Sequence, residues 1–469
     1  MRWLAVPLLL SGCSPTPASA PNATRAATPA ECTILVTEVS AKPARLEIDA
    51  RCTGPSITGF SAADDTSLPF IELLDASPPL TRTSEGFQLA TAQRSARLRY
   101  AVDLERIAGA GQRFDGPLRV GDSLIAPAST FLVTPDPLAL GVTLDLDVRV
   151  PPGEGFASGL LPSTTGHTAS LQAHEASVAT YAIFGHFQRE TARVGTATVD
   201  VVTADGKLEL PATTTQRWVA DAARAVRDFY GASPAQHTFV LLIPVPEHAQ
   251  VLFGKVLPQS APGVAVLVGE HASEHALYDD WILVHELFHI GFPSFHDEAK
   301  WLDEGSATYF EPIIRARAGR LSELEVWSAF ARDMPQGLSA FEHEGLEHPR
   351  HFRALYWGGA IACLVADVAA RERSRGVRGL EDGFRAVLRA GGDATHVWSL
   401  AQVREVIDGA LGAPILAEII AQHANAGSPF DLAALFARLG VMQHADGSFS
   451  LDDHAELAAL RHAITYGRP

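Results

Sequence analysis

Residues 278–311 read YDDWILVHELFHIGFPSFHDEAKWLDEGSATYFE, and the chain is organised around them. At the centre, His285, Glu286 and His289 form an H-E-x-x-H pattern. Side chains four apart on a helix lie one above the other, so both imidazoles can face one metal ion. Glu286 sits about 100° round from His285, within reach of a water on that ion. Trp281, Ile282, Leu283, Val284, Leu287, Phe288 and Ile290 make the flanks apolar around the whole circumference, which predicts a helix buried on all sides. Burying a carboxylate and two imidazoles without partners would cost several kcal/mol, and a zinc ion supplies the partners. Asp279 and Asp280 suit a first helical turn, and Gly291 with Pro293 supplies the stop.

Fourteen residues separate His289 from Glu304, which lies in Trp301-Leu302-Asp303-Glu304-Gly305-Ser306-Ala307-Thr308-Tyr309, the expected start of a second helix. Two histidines and a glutamate from the next helix form a catalytic zinc set, one ion per chain, with the fourth position open to water. The competing reading is two core histidines and a surface glutamate. Glu311 is placed either to support a ligating histidine or to pair with Arg315 four residues on. Pro312 is expected to bend or divide the second helix.

The W-L-D-E-G-S-A-T-Y-F-E stretch resembles the W-L-N-E-G-F-A motif of the gluzincin aminopeptidases, the aminopeptidase N and glycyl aminopeptidase families. That resemblance implies a thermolysin-like catalytic domain in which Glu304 is the third zinc ligand. It also implies that Tyr356, in Tyr356-Trp357-Gly358-Gly359-Ala360, stands where the Y-x-K-G tyrosine of those families stabilises the oxyanion. Two features depart from the pattern: the 14-residue spacer, where the aminopeptidase N pattern has 18, and Gly358 in place of the lysine. In gluzincins a strand just before the zinc helix binds the substrate backbone by strand addition. Residues 263–269, GVAVLVG, are the expected counterpart, through Val264, Val266 and Val268. The aminopeptidases hold the substrate's free amine with a glutamate in G-x-M-E-N or G-G-x-E-H, a role that Gly269-Glu270-His271 assigns to Glu270.

The remaining chain reads as an α+β protein with an N-terminal antiparallel β domain, the catalytic domain and a C-terminal helical lobe. Residues 1–13, MRWLAVPLLLSGC, resemble a bacterial lipoprotein signal with a lipobox, implying cleavage before Cys13 and a membrane tether through lipid on its thiol. An ordinary secretory signal cut near Ala18 or Ala20 is the alternative. Ser14 after the cysteine points, by analogy with lipoprotein sorting, to the outer membrane or a periplasm-facing protein. Residues 14–30 are rich in Pro, Ala, Ser and Thr and read as a linker. Residues 31–210 alternate with period two at 33–39, 44–50, 97–102, 142–150, 176–183 and 196–202, the mark of an antiparallel β domain. Within it, residues 142–161 resemble the β domain that precedes the catalytic domain of the same peptidases. Cys32 and Cys52 flank the first two segments, and export makes a disulfide between them expected. Cys363 reads as a buried small hydrophobe.

After residue 210 the period becomes 3.6, with a helix at 215–230 and strands at 237–243 and 263–269. The catalytic domain is assigned to 211–345 and the helical lobe to 346–469, with helices at 354–371, 380–390, 399–411 and 429–439. A formal net charge of −17 and the lack of Lys and Arg clusters argue against a nucleic-acid partner. The expected partner is a peptide or protein substrate. The expected activity is that of a membrane-anchored zinc aminopeptidase, with a zinc endopeptidase or a non-catalytic binding lipoprotein as alternatives.

Overall fold

The computed structural model describes residues 31–467, apart from 42–43, 111–115, 161–165, 179, 258–261 and 296–297. The signal, Cys13 and the linker lie outside the described residues.

In the N-terminal half, strands Ala169–Gln172, Thr143–Arg149, Glu31–Ala41, Ala44–Ala62, Gly86–Asp103 and Ile71–Ser77 lie side by side. Neighbours are antiparallel except Glu31–Ala41 with Thr143–Arg149, which run parallel. Alternation buries one face: Ile34, Val36, Leu46, Ile48, Leu98, Tyr100, Leu144 and Leu146 form its core. The Tyr100 hydroxyl, buried there, donates to the Phe131 carbonyl at 2.7 Å. Cys32 stands directly opposite Cys52 and the two are disulfide-bonded, the pairing expected for the first two alternating segments. A second sheet orders Gly155–Ser158, Tyr181–Gly185, Ser123–Pro127 and Leu118–Val120. The segment expected as one strand at 176–183 is a short 3-10 turn, Ala173–Val178, followed by strand Tyr181–Gly185.

A third sheet orders Phe187–Val194, Ala197–Ala204, His237–Val245, Gly263–Gly269 and Val251–Leu257. Its three middle strands are parallel and its two outer strands antiparallel to their neighbours. The β domain therefore ends earlier than residue 210, because the two strands at 187–204 hydrogen-bond into this sheet. One face of the sheet, with Val202, Phe239, Leu241 and Ala265, packs on Ile125, Tyr181 and Ile183 of the β domain. The other face, with Val240, Leu242, Val264 and Val266, packs on helices Ala212–Tyr230 and Ile282–His289.

The helices from Ala212 to the C-terminal end share one continuous core with this face, so the expected helical lobe is not separated from the catalytic half. Cys363 is buried in that core, unpaired. Helices Phe352–Ser374, Leu380–Arg389, Leu400–Leu411 and Leu432–Arg438 fall where the periodicity placed them. Glu323–Asp333, Ile415–His423 and Ala458–Tyr466 are additional helices. Helix Lys300–Arg317 runs through Pro312 undivided.

Candidate active site

The H-E-x-x-H segment forms helix Ile282–His289. It does not begin at Asp279: helix Glu274–Asp279 ends there, and Asp280 is extended. The Asp280 carboxylate instead accepts from the Leu283 amide at 3.2 Å, which satisfies an otherwise orphaned donor of the first turn. The chain turns away after His289, where the Phe288 carbonyl accepts from the Gly291 amide and from the Tyr230 hydroxyl at 3.0 Å each.

Three ligand atoms converge. His285 Nε2 lies 3.3 Å from His289 Nε2 and 3.3 Å from Glu304 Oε2, and His289 Nε2 lies 3.5 Å from the same oxygen. In a tetrahedral zinc site with metal–ligand bonds of about 2.0–2.1 Å, adjacent ligand atoms are about 3.3–3.4 Å apart. The triangle therefore fits zinc in both donor type and dimension. Both histidines are buried.

The far nitrogen of His289, Nδ1, lies 2.9 Å from Asp303 Oδ1, which orients the ring and commits Nε2 to the site. Burial disfavours a protonated His289, but the Asp303 and Glu304 carboxylates outweigh it and raise its pKa well above the usual value. Burial likewise disfavours an ionised Glu304, yet the hydrogen bonds from His285 and His289 hold it well below the ordinary carboxylate range. Burial pushes Glu286 up, with the two histidines opposing. Asp303 was missed in the sequence. Its signal was there: a carboxylate beside the expected third ligand, and a histidine that, as a ligand, would need a partner on its other nitrogen.

Glu311 does not serve the histidines by hydrogen bonding. Its Oε1 accepts from Arg315 Nη1 at 3.0 Å, both side chains buried, and Arg315 also donates to the carbonyls of Tyr278 and Asp279. Of the two roles open to Glu311, the structure shows the ion pair.

Tyr356 lies in helix Phe352–Ser374, its ring parallel to that of His285 at 5.9 Å between centroids, and burial together with the nearby Glu304 and Glu286 raises its pKa well above the usual value. Two glycines bring it there. A Cβ on Gly305 would come within 2.4 Å of the Gly359 backbone, so the helices carrying Glu304 and Tyr356 touch main chain to main chain. Gly358, at the position of the family lysine, is buried against Leu346, Ala340 and Gly337, which leave only tight room for a side chain.

The expected substrate strand is corrected. Val264, Val266 and Val268 are fully buried, and their strand is hydrogen-bonded on both sides, to His237–Val245 and to Val251–Leu257, leaving no edge for an added strand. The edge on this side of the sheet is Val251–Leu257. It runs against the metal-site helix: the Val256 amide donates to Glu286 Oε2 at 3.0 Å, and a Cβ on Gly254 would strike Ile282 and Glu286.

Glu270 is corrected with it. Val256 meets Glu286 and pairs with Val264, while Glu270 lies six residues farther along, a rise of about 20 Å. Its carboxylate is held there by Lys207 at 2.6 Å, beside Glu209 and His271. It cannot hold an amine at the zinc triangle.

No protein-family model matches the sequence, and no curated protein matches it. The fold, however, is shared with solved M1 zinc metallopeptidases and an aminopeptidase N family protein. The aminopeptidase N family protein from Idiomarina loihiensis superposes with a TM-score of 0.67 at 12% identity, covering 88% of this chain and 78% of that one. The M1 zinc metallopeptidase from Deinococcus radiodurans, solved as a mutant bound to a Tyr-Ser-Ala substrate, gives 0.55 at 18% identity, covering 86% and 95%. At these identities the likeness is one of fold.

Proposed function

We propose that the chain is a zinc-dependent peptide hydrolase, exported and held at a membrane by lipid on Cys13. The observation that carries the peptidase reading is the zinc-sized triangle of His285, His289 and Glu304, with Glu286 on the same helix. When bound, zinc would polarise the scissile carbonyl and lower the pKa of the attacking water towards about 7. Glu286 takes that water's proton and delivers it to the leaving amine. Its raised pKa suits a group that must hold a proton between the two steps. Tyr356 donates a hydrogen bond to the oxyanion of the tetrahedral intermediate. The outer strand of the sheet on this side, Val251–Leu257, lies beside Glu286 and is the strand along which a peptide backbone would align by strand addition. The likeness in fold to solved M1 zinc metallopeptidases supports the same reaction class.

The aminopeptidase reading asks for a carboxylate that binds the substrate's free amine. Glu270 is too far away, and the edge strand, VLFGKVL, carries a lysine and no acid. These observations favour the second reading, an endopeptidase. The deciding experiment measures zinc per chain and cleavage of a mixed peptide pool, free and N-acetylated, by wild type and Glu286→Gln. One zinc in both proteins, with cleavage by wild type alone, supports the peptidase. Cleavage of acetylated peptides assigns an endopeptidase, and loss of all cleavage on acetylation an aminopeptidase. Zinc without cleavage leaves a binding module, and absence of zinc refutes the site.

A further inference from the structure

Where the described chain begins, the surface carries an apolar loop. Residues 137–141, Pro-Leu-Ala-Leu-Gly, are all exposed, Leu140 by 82% and Leu138 by 48%. Single exposed leucines are ordinary, but five consecutive exposed residues without a polar side chain are not a soluble surface's usual pattern. The loop leads directly into strand Thr143–Arg149, which runs parallel to Glu31–Ala41 with Thr143 opposite Glu31. Strand spacing and residue rise put Leu140 within about 15 Å of Glu31. Glu31 is the first described residue, and Cys13 precedes it by 18 positions. The exposed leucines therefore sit at the end of the β domain from which the chain leads back to Cys13.

We infer that this loop is a membrane-contact surface, with Leu138 and Leu140 entering the interfacial layer of the bilayer that carries the lipid on Cys13. The inference rests on the lipoprotein reading of residues 1–13. A second copy of the chain does not fit the loop, because a stable dimer buries about 1,000 Å² or more and two leucines with an alanine offer far less. A lipid surface needs no such area. The tether already keeps the loop at high local concentration beside the bilayer, so a small apolar contact is enough to orient the body.

The test uses the lipidated full chain, purified from membranes and reconstituted into vesicles of phosphatidylethanolamine and phosphatidylglycerol. A nitroxide is attached at Leu140→Cys or, at the opposite end of the first strand, at Val39→Cys, where the native side chain is 45% exposed. With the Cys13 thiol occupied by lipid, Cys32 and Cys52 disulfide-bonded and Cys363 buried, the label is confined to the new cysteine. The expected result is high oxygen and low nickel-chelate accessibility at position 140, with the reverse at 39. Aqueous accessibility at both positions overturns the inference, and so does lipid-like accessibility at both, which would mean no defined orientation. Mass spectrometry of the same preparation separates the two layers of argument: an unacylated Cys13 removes the tether and the inference with it, whereas an acylated Cys13 with a water-exposed loop removes the inference alone.

Discussion

Asp303 offers a sharp test of the proposed metal site, because it stands behind His289 rather than among the three convergent ligand atoms. Its Oδ1 lies 2.9 Å from His289 Nδ1 at a buried ring, and its other oxygen lies 3.3 Å from Lys300 Nζ. In Asp303→Ala the His289 ring loses its orienting partner while His285, Glu304 and Glu286 are untouched. Partners of this kind are worth about 10–100-fold in metal affinity, or about 1.4–2.8 kcal/mol. The zinc dissociation constant of Asp303→Ala, measured by competition with a chromophoric chelator, should rise by that factor. At saturating zinc much of the activity should return, which a lost ligand would not allow. An affinity equal to wild type would refute the argument that the 2.9 Å contact fixes the ring.

Three further outcomes are expected. Tyr356→Phe should keep full zinc content and lose about 100-fold or more in kcat, with KM changed far less; an unchanged kcat would remove Tyr356 from the reaction. Arg371 is fully buried between Asp367 and Glu381, donating at 2.8 and 2.7 Å, so Arg371→Met leaves two buried carboxylates without their shared cation and should cost about 3–5 kcal/mol in urea unfolding. Burial, with Glu154 alongside, raises the Glu38 carboxyl from 4.5 to about 7, opposed by Arg119. A raised carboxyl pKa gives stability that is present below about 4.5 and lost as the pH climbs to about 7. Glu38→Gln should therefore gain in Tm relative to wild type at about pH 8 and lose that advantage at about pH 5; a difference independent of pH would rule this out.

How much of this was legible depended on whether the signal was local. The H-E-x-x-H helix declares itself by spacing and by the apolar residues round it, and Glu304 by the motif that holds it. Cys32 and Cys52 needed only export and two alternating segments. The failures concern which strand pairs with which. An unbroken run such as GVAVLVG is the composition of a strand buried on both faces, and such strands sit inside a sheet rather than at its edge. The strand at the edge on this side, VLFGKVL, is interrupted by a glycine and a lysine, which suit a border strand and weaken its apolar signal. A period of two says that Phe187–Val194 and Ala197–Ala204 are strands and says nothing of the sheet they join, so the domain border fell too late. Asp303 was readable in principle from the unmet need of a histidine nitrogen.

The crossing of Gly305 with Gly359 sets a limit on how this molecule can be improved. Alanine is favoured over glycine inside a helix by about 1 kcal/mol, so a stability screen would nominate both positions early. Yet any Cβ there would wedge apart the two helices that carry Glu304 and Tyr356. The spacing between Glu304 and Tyr356 is thus set by the absence of a Cβ at each of two crossing positions. Variants with alanine at these two sites should gain intrinsic helix propensity and lose the close crossing of the helices that carry Glu304 and Tyr356.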